Sequence, residues 1–350
     1  MWQEFTYSSA AGKRQYFVYT PASYQIGAAV PLVMMLHGCQ QTALNFAIGT
    51  RMNQLADQHN FIVAYPQQAS SANIGGCWNW FLTANQQRGQ GEPALIAGIV
   101  DAIQQNRAQW SIDARRVYVA GMSAGGALAA ILGATYPDIF AAVGVHSGME
   151  YGAARNQIMA LQAMRLGGPD PLGQGQAAYT AMGDVARVVP TIVFHGTKDN
   201  IIAPINGDQV IQQWMETDQL ASNGAYRPDF ANPASTTTGQ VTSGYSYTTF
   251  LWNDSHNATV QSYWKVSGLG HAWAGGDPAG SFTDPLGPDA SAAFYAFFTQ
   301  QSEENLPLWR KLTSIIRGML ARNHALLASW HAGARRKPGQ RGRTAYPGGG

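Results

Sequence analysis

Three residues lying far apart in the chain have the types and the order needed for nucleophilic acyl transfer: Ser123, Asp199 and His271. Ser123 is the centre of Gly121-Met122-Ser123-Ala124-Gly125. The apolar run Arg116-Val117-Tyr118-Val119-Ala120 precedes it, and the small-residue stretch from Ala124 to Leu132 follows it. This reads as strand, sharp turn and helix, a setting that holds a serine in a strained backbone conformation with its hydroxyl outward. Glycines two positions to either side let strand and helix approach, and a helix N-terminus beneath the serine favours developing negative charge. In a chain with 39 glycines the bare pentapeptide also occurs as an ordinary turn. The flanking strand and helix decide for the nucleophile.

A hydroxyl needs a base, and the base needs an orienting carboxylate. Val189 to Gly196 reads as a buried parallel strand, and Asp199 lies just past its end. None of the other aspartates between Ser123 and His271 closes a comparable strand. The alternative for Asp199 is an Asx-turn within Lys198-Asp199-Asn200. An elbow of this kind is followed in the chain by the acid and then the histidine, which removes His37, His59, His146 and His195. His256 falls in a polar turn, and His324 and His331 belong to a basic tail. His271 directly follows the strand-like run 260–266 and takes the role of base, with a core histidine satisfied by backbone as the ordinary alternative. Two backbone N–H donors must stabilise the oxyanion. Ala124 supplies one, and the Cys39 amide, in the His37-Gly38-Cys39-Gln40 loop after the apolar run 31–36, is chosen for the other over a plain strand-to-loop turn.

The elements that must position these groups alternate along the chain. Two antiparallel opening strands, near 4–7 and 14–19, lead into strands at 31–36, 61–65, 116–120, 141–145 and 190–195. Helical stretches fall near 43–59, 92–107, 124–135 and 151–165. The pattern predicts an α/β fold, a mainly parallel sheet flanked by helices in a single catalytic domain over 1–301. The span 221–244, rich in Ser, Thr, Gly, Asn and Pro, reads as a surface excursion. With 350 residues and 45% hydrophobic content one large core is within reach. No run is long and apolar enough for a transmembrane span. No His or Cys cluster has metal-ligand spacing, and no phosphate-binding glycine loop occurs, so no metal and no cofactor are expected. Residues 302–350 carry nine Lys or Arg against two Glu, whereas 1–301 carry thirteen against eighteen Asp or Glu, so the overall +2 hides a basic tail. The tail reads as a possible amphipathic helix followed by disordered chain. It lacks any nucleic-acid motif, and no nucleic-acid partner is expected.

Several segments resemble the poly(3-hydroxybutyrate) depolymerase family of esterases: Leu36-His37-Gly38-Cys39-Gln40-Gln41-Thr42, Cys77-Trp78-Asn79-Trp80-Phe81, Gly121 to Gly126, Val145-His146-Ser147-Gly148 and Gly270-His271-Ala272-Trp273. The likeness runs from about Arg14 to about Phe298. It implies an α/β-hydrolase domain with Ser123, Asp199 and His271 as its triad, acting on short-chain polyhydroxyalkanoates or related esters. It also implies a Cys39–Cys77 disulfide pinning the oxyanion loop. Only two cysteines occur; two free thiols are the alternative, and a bridge would contribute about 3–4 kcal/mol in the chain-entropy model. A disulfide argues for an extracellular or periplasmic location, and the low charged fraction of 12% agrees weakly. Met1 to Thr6 leads straight into strand-like sequence without an export signal.

An apolar polyester calls for flat, rigid surfaces, so Trp78, Trp80 and Trp273 are candidates for substrate contact, against the ordinary alternative of core packing. Gln40 and His146 are candidates for lining the cleft. Secreted depolymerases often carry a separate polymer-binding domain after the catalytic one, and the span after 301 is too short for it. The expectation is therefore attack on amorphous polymer, oligomers or smaller esters by a monomer. A feruloyl or acetyl carbohydrate esterase, a general short-chain carboxylesterase and a non-catalytic polymer-binding protein are the rival readings.

Overall fold

Every residue of β3 (Val30–Leu36) is buried because its apolar side chains serve both faces of a sheet. Leu32, Met34 and Leu36 pack into one core, and Val33 and Met35 into another. In β5 (Ile112–Met122), Val117 and Val119 part from Tyr118 and Ala120 in the same way. The computed structural model describes residues 1–301, and in it these two strands sit side by side near the middle of a ten-stranded sheet. From edge to edge the strands are β1 (Trp2–Ser9), β2 (Gly12–Tyr19), β4 (Ile62–Gln67), β3, β5, β6 (Ala142–His146), β7 (Thr191–Gly196), β10 (Thr259–Val266), β9 (Ser246–Asn253) and β8 (Ser235–Gln240). The six from β4 to β10 are mutually parallel. The strands at both edges pair antiparallel.

One face is covered by α3 (Gly91–Gln105), α4 (Ala124–Thr135) and α7 (Ile205–Ala221). The other is covered by α1 (Ala43–Thr50), α2 (Met52–His59) and α8 (Ala290–Gln300). All twelve residues of α4 are buried. A helix apolar all round belongs in a core, and its run of Ala and Gly lets it lie close against the sheet. This is the α/β-hydrolase arrangement expected from the sequence. Leu36 pairs with Gly121, Met122 with His146, His146 with Phe194, and Gly196 with Val266. The carboxyl ends of five strands are thus level, and the loops leaving them share one end of the sheet, where ligands of open α/β sheets bind.

The differences from expectation have local causes. The helix expected near 43–59 is two helices, broken at Arg51, which adopts the left-handed conformation at φ 57°. The helix expected from 151 begins only at α5 (Gln157–Leu166), where the Asn156 side chain accepts from Met159 N–H as N-cap. The excursion over 221–244 contains β8, an edge strand of sequence Ser-Thr-Thr-Thr-Gly-Gln with no buried residue. Expectations for the basic tail lie outside the described residues. Among the described residues, no helix is long and apolar enough to cross a membrane.

The chain leaving β6 buries Glu150 at 1% exposure, with no hydrogen-bond partner for either carboxylate oxygen among the described residues. Burial, and then the charge of Asp170, push its carboxyl up to about 9. The native state therefore holds a proton that the unfolded chain releases above about 4.5, and stability falls as pH rises between those values. Glu150→Gln should raise stability at pH 7 by about 2–4 kcal/mol and leave it unchanged at pH 4. Urea unfolding at both pH values checks this, and a gain equal at the two would contradict it.

Candidate active site

Ser123 stands between β5 and α4 at φ 57°, ψ −121°, a region that side-chain-bearing residues rarely enter. The reason it is held there is packing on either side. A Cβ at Gly121 would lie 2.3 Å from Gly125 O, and one at Gly125 would lie 2.1 Å from Leu36 O and 2.6 Å from His37 O. Both obstacles are backbone, so no side chain can yield. The Ser123 N–H donates to His146 O at 2.9 Å, locking the elbow to the next strand.

Asp199, in the turn after β7, is buried. Its Oδ1 accepts from Ile201 N–H at 3.0 Å and Ile202 N–H at 2.9 Å. Its Oδ2 accepts from His271 Nδ1–H at 2.7 Å. Burial alone would raise this carboxyl. The His271 hydrogen bond, the neighbouring His271 and His195 rings and the Ile202 amide outweigh it and leave Asp199 below the ordinary carboxylate range. The bond to Asp199 fixes Nδ1 as the protonated nitrogen of His271 and leaves Nε2 as the basic one. The two loops are also stitched by backbone: Thr197 N–H donates to Val266 O, and Lys198 N–H to Leu269 O. The sequence reading set aside His195, yet its Nε2 lies 3.5 Å from Asp199 Oδ2 and donates to Ile202 O at 2.9 Å. Only its place at the end of an apolar strand, four residues before Asp199, could have signalled this.

The loop after β3 is fixed peptide by peptide. In the His37–Gly38 peptide, the carbonyl accepts from Trp78 Nε1–H at 3.0 Å and the N–H donates to Gln41 Oε1 at 2.8 Å. In the Gly38–Cys39 peptide, the carbonyl accepts from His37 Nδ1–H at 2.8 Å. A trans peptide points its N–H opposite its carbonyl, so that bond sets the direction of Cys39 N–H. The Gln40 N–H is taken by Gly75 O at 2.8 Å, whereas no acceptor among the described residues takes Cys39 N–H. Gly38 lies against the candidate nucleophile: a Cβ there would be 3.3 Å from Ser123 Cβ. The second candidate donor, Ala124 N–H, opens α4 and has no intrahelical acceptor. Cys39 and Cys77 are joined in a disulfide. His37 Nε2 accepts from Gln68 N–H, and burial pushes this imidazole down to about 4, so it is neutral.

The structure places four of the five candidate substrate contacts among buried side chains. Trp78, Trp80, Trp273 and His146 are all in the core. The Trp273 indole donates to Ser291 Oγ at 3.1 Å, and its ring stacks on His146 with centroids 4.9 Å apart. His146 Nε2 accepts from Ala274 N–H at 3.0 Å; its ring is driven well below the ordinary imidazole range by burial, and also by His195 and His271. These side chains brace the loops from below. Gln40 is exposed, beside the disulfide. Among the described residues no group of three His, Cys, Asp or Glu could hold a metal ion.

Because the Gly125 contacts are with backbone, Gly125→Ala should cost about 3 kcal/mol or more by overpacking. Guanidinium unfolding measures it, and a midpoint equal to wild type would mean that the elbow does not depend on this approach.

The family model described as Esterase PHB depolymerase matches residues 14–232. Poly(3-hydroxyalkanoate) depolymerase C of Paucimonas lemoignei is 35% identical over 61% of this chain and 50% of its own length. Feruloyl esterase B of Neurospora crassa is 31% identical over 56% of this chain and 68% of its own. The chain thus spans about half the length of the first of these relatives and about two thirds of the second. Among solved structures, an acetyl xylan esterase from Aspergillus awamori has the same fold, with TM-score 0.66, 23% identity, and 85% of this chain and 99% of that one covered. Because the family model matches residues 14–232, more than half of the chain, the chain belongs to the Esterase PHB depolymerase family.

Proposed function

We propose that this chain is a serine esterase that hydrolyses poly(3-hydroxybutyrate), related short-chain polyhydroxyalkanoates or their oligomers. The observation that carries the reading is the 2.7 Å bond from His271 Nδ1–H to buried Asp199, which leaves Nε2 basic at the same end of the sheet as the strained Ser123. In the proposed reaction His271 Nε2 takes the Ser123 proton as the hydroxyl attacks the ester carbonyl. Asp199 stabilises the imidazolium, and the Cys39 and Ala124 amides receive the oxyanion. The same imidazolium protonates the departing alcohol, and water then releases the acyl group by the reverse sequence. The chemistry needs no cofactor, and the chain is taken to act as a monomer.

The polyester assignment draws on the depolymerase relative, and the disulfide supports work outside the reducing cytosol, extracellular or periplasmic. A second reading, removal of feruloyl or acetyl groups from polysaccharide, is favoured by the greater share of the Neurospora crassa feruloyl esterase that the match covers.

A suspension of amorphous poly(3-hydroxybutyrate) should clear with wild type, releasing hydroxybutyrate or its oligomers, and should stay turbid with Ser123→Ala. On a short p-nitrophenyl ester, Asp199→Asn should lower kcat by about 10³–10⁴ while the protein stays folded. Turbidity unchanged by wild type, with brisk release of ferulate or acetate from sugar esters, would replace the polyester by a polysaccharide ester. Full activity in Ser123→Ala would remove the serine mechanism altogether.

A further inference from the structure

We propose that Gln41 is a positioning residue for the oxyanion site: its carboxamide clamps the Gly38 N–H on one side and the chain beyond His271 on the other, holding Cys39 N–H toward the reacting carbonyl. This rests on the esterase reading above.

Gln41 is 5% exposed, and both ends of its amide are used. Oε1 accepts from Gly38 N–H at 2.8 Å. Nε2 donates to Ser281 O at 2.8 Å and approaches Ser281 Oγ at 3.4 Å. Ser281 is itself fixed, since its N–H and its hydroxyl both donate to Asn45 Oδ1, at 3.1 and 2.6 Å. It lies between β11 (Trp273–Ala274) and β12 (Thr283–Asp284), the short parallel pair that follows His271. One side chain therefore joins the loop that carries an oxyanion donor to the segment that follows the base.

The other ties on this loop act differently. The His37 ring sets the Gly38 carbonyl and the Trp78 indole sets the His37 carbonyl, while the disulfide secures Cys39. With both carbonyls taken, the N–H groups of Gly38 and Cys39 remain, and Gly38 packs against Ser123. Left without an acceptor the Gly38 N–H would either bear the cost of an unpaired buried donor or turn toward the site and compete with Cys39 for the oxyanion. Gln41 removes both outcomes by accepting that N–H from the side facing Ser281. An oxyanion donor is effective only when it is aimed beforehand at the place where charge develops. A lost clamp should therefore appear in turnover rather than in substrate binding.

The test uses p-nitrophenyl butyrate, with active sites counted by a fluorophosphonate that labels Ser123 and a boronic acid as the tetrahedral mimic. For Gln41→Met, kcat per labelled site should fall about tenfold or more with KM within about twofold, and boronic-acid inhibition should weaken by a like factor. A role confined to stability would give fewer labelled sites and a lower melting temperature at unchanged kcat per site. That result, with boronic-acid inhibition within about twofold of wild type, would overturn the proposal. Gln41→Glu is the rescue. Burial favours its neutral acid, which accepts from Gly38 and donates to Ser281 as the amide does, so at pH 6 it should keep about a third or more of wild-type kcat. A loss there as large as in Gln41→Met, or beyond about tenfold should the methionine variant not fold, would also overturn it. Wild type with no turnover of the ester would instead remove the esterase reading, and this inference with it.

Discussion

The site depends on one close approach, the N-terminus of α4 against the carboxyl end of β3. Gly125 leaves room for the Leu36 and His37 carbonyls, and Gly121 leaves room for Gly125. That contact forces the positive φ of Ser123. It also brings the loop leaving β3 to the first free amide of α4, so the candidate nucleophile and both candidate donors follow from a single packing constraint. The strain of about 1–3 kcal/mol stored at such a residue is offset by a helix that buries all twelve of its residues.

Desolvation then separates three histidines from the candidate base. Burial pushes His37, His146 and His195 toward the neutral form. Each is used as a fixed donor–acceptor pair or a packing ring: His37 orients a peptide, His146 receives the Ala274 amide, and His195 donates to Ile202 O beside Asp199. His271 is only partly buried, and its Nδ1 is committed to a carboxylate that is itself held by two backbone amides. Its other nitrogen is left without a proton, as the proposed base requires. Four histidines at one end of the sheet thus have different partners because their surroundings differ.

Legibility in the sequence followed the type of side chain that each element buries. β3 and α4 bury apolar residues, so periodicity and small-residue content found them, and the elbow with them. α7 was not foreseen because its inward face carries Asn206, Gln209, Gln213 and Thr217, which hydrogen-bond to neighbouring backbone and to each other rather than pack as hydrocarbon. These polar residues flank the short apolar stripe of Val210, Ile211, Trp214 and Met215 and mask it in the sequence. β8 escaped because an edge strand exposed on both faces needs no alternation. In the candidate site, Ser123, Asp199 and His271 were picked out by chain order, and the structure joins His271 to Asp199, whereas Gln41, His195 and the neutral state of His37 depend on contacts between distant segments. The burial of the tryptophans was not legible for a related reason, since a loop near the cleft can be braced by rings buried beneath it.

The ties on the loop 37–41 divide by the state on which they act. A disulfide stabilises mainly by restricting the unfolded chain, about 3–4 kcal/mol for a loop of this length. It acts on every folded conformation alike. The hydrogen bonds from His37, Trp78 and Gln41 do the opposite, because each exists in one orientation of its peptide and is lost in any other. Cys39 is held by the first kind of tie through its side chain and aimed by the second through its backbone. Stability and aim at the proposed oxyanion site are therefore separate properties of the same residue, carried by different neighbours.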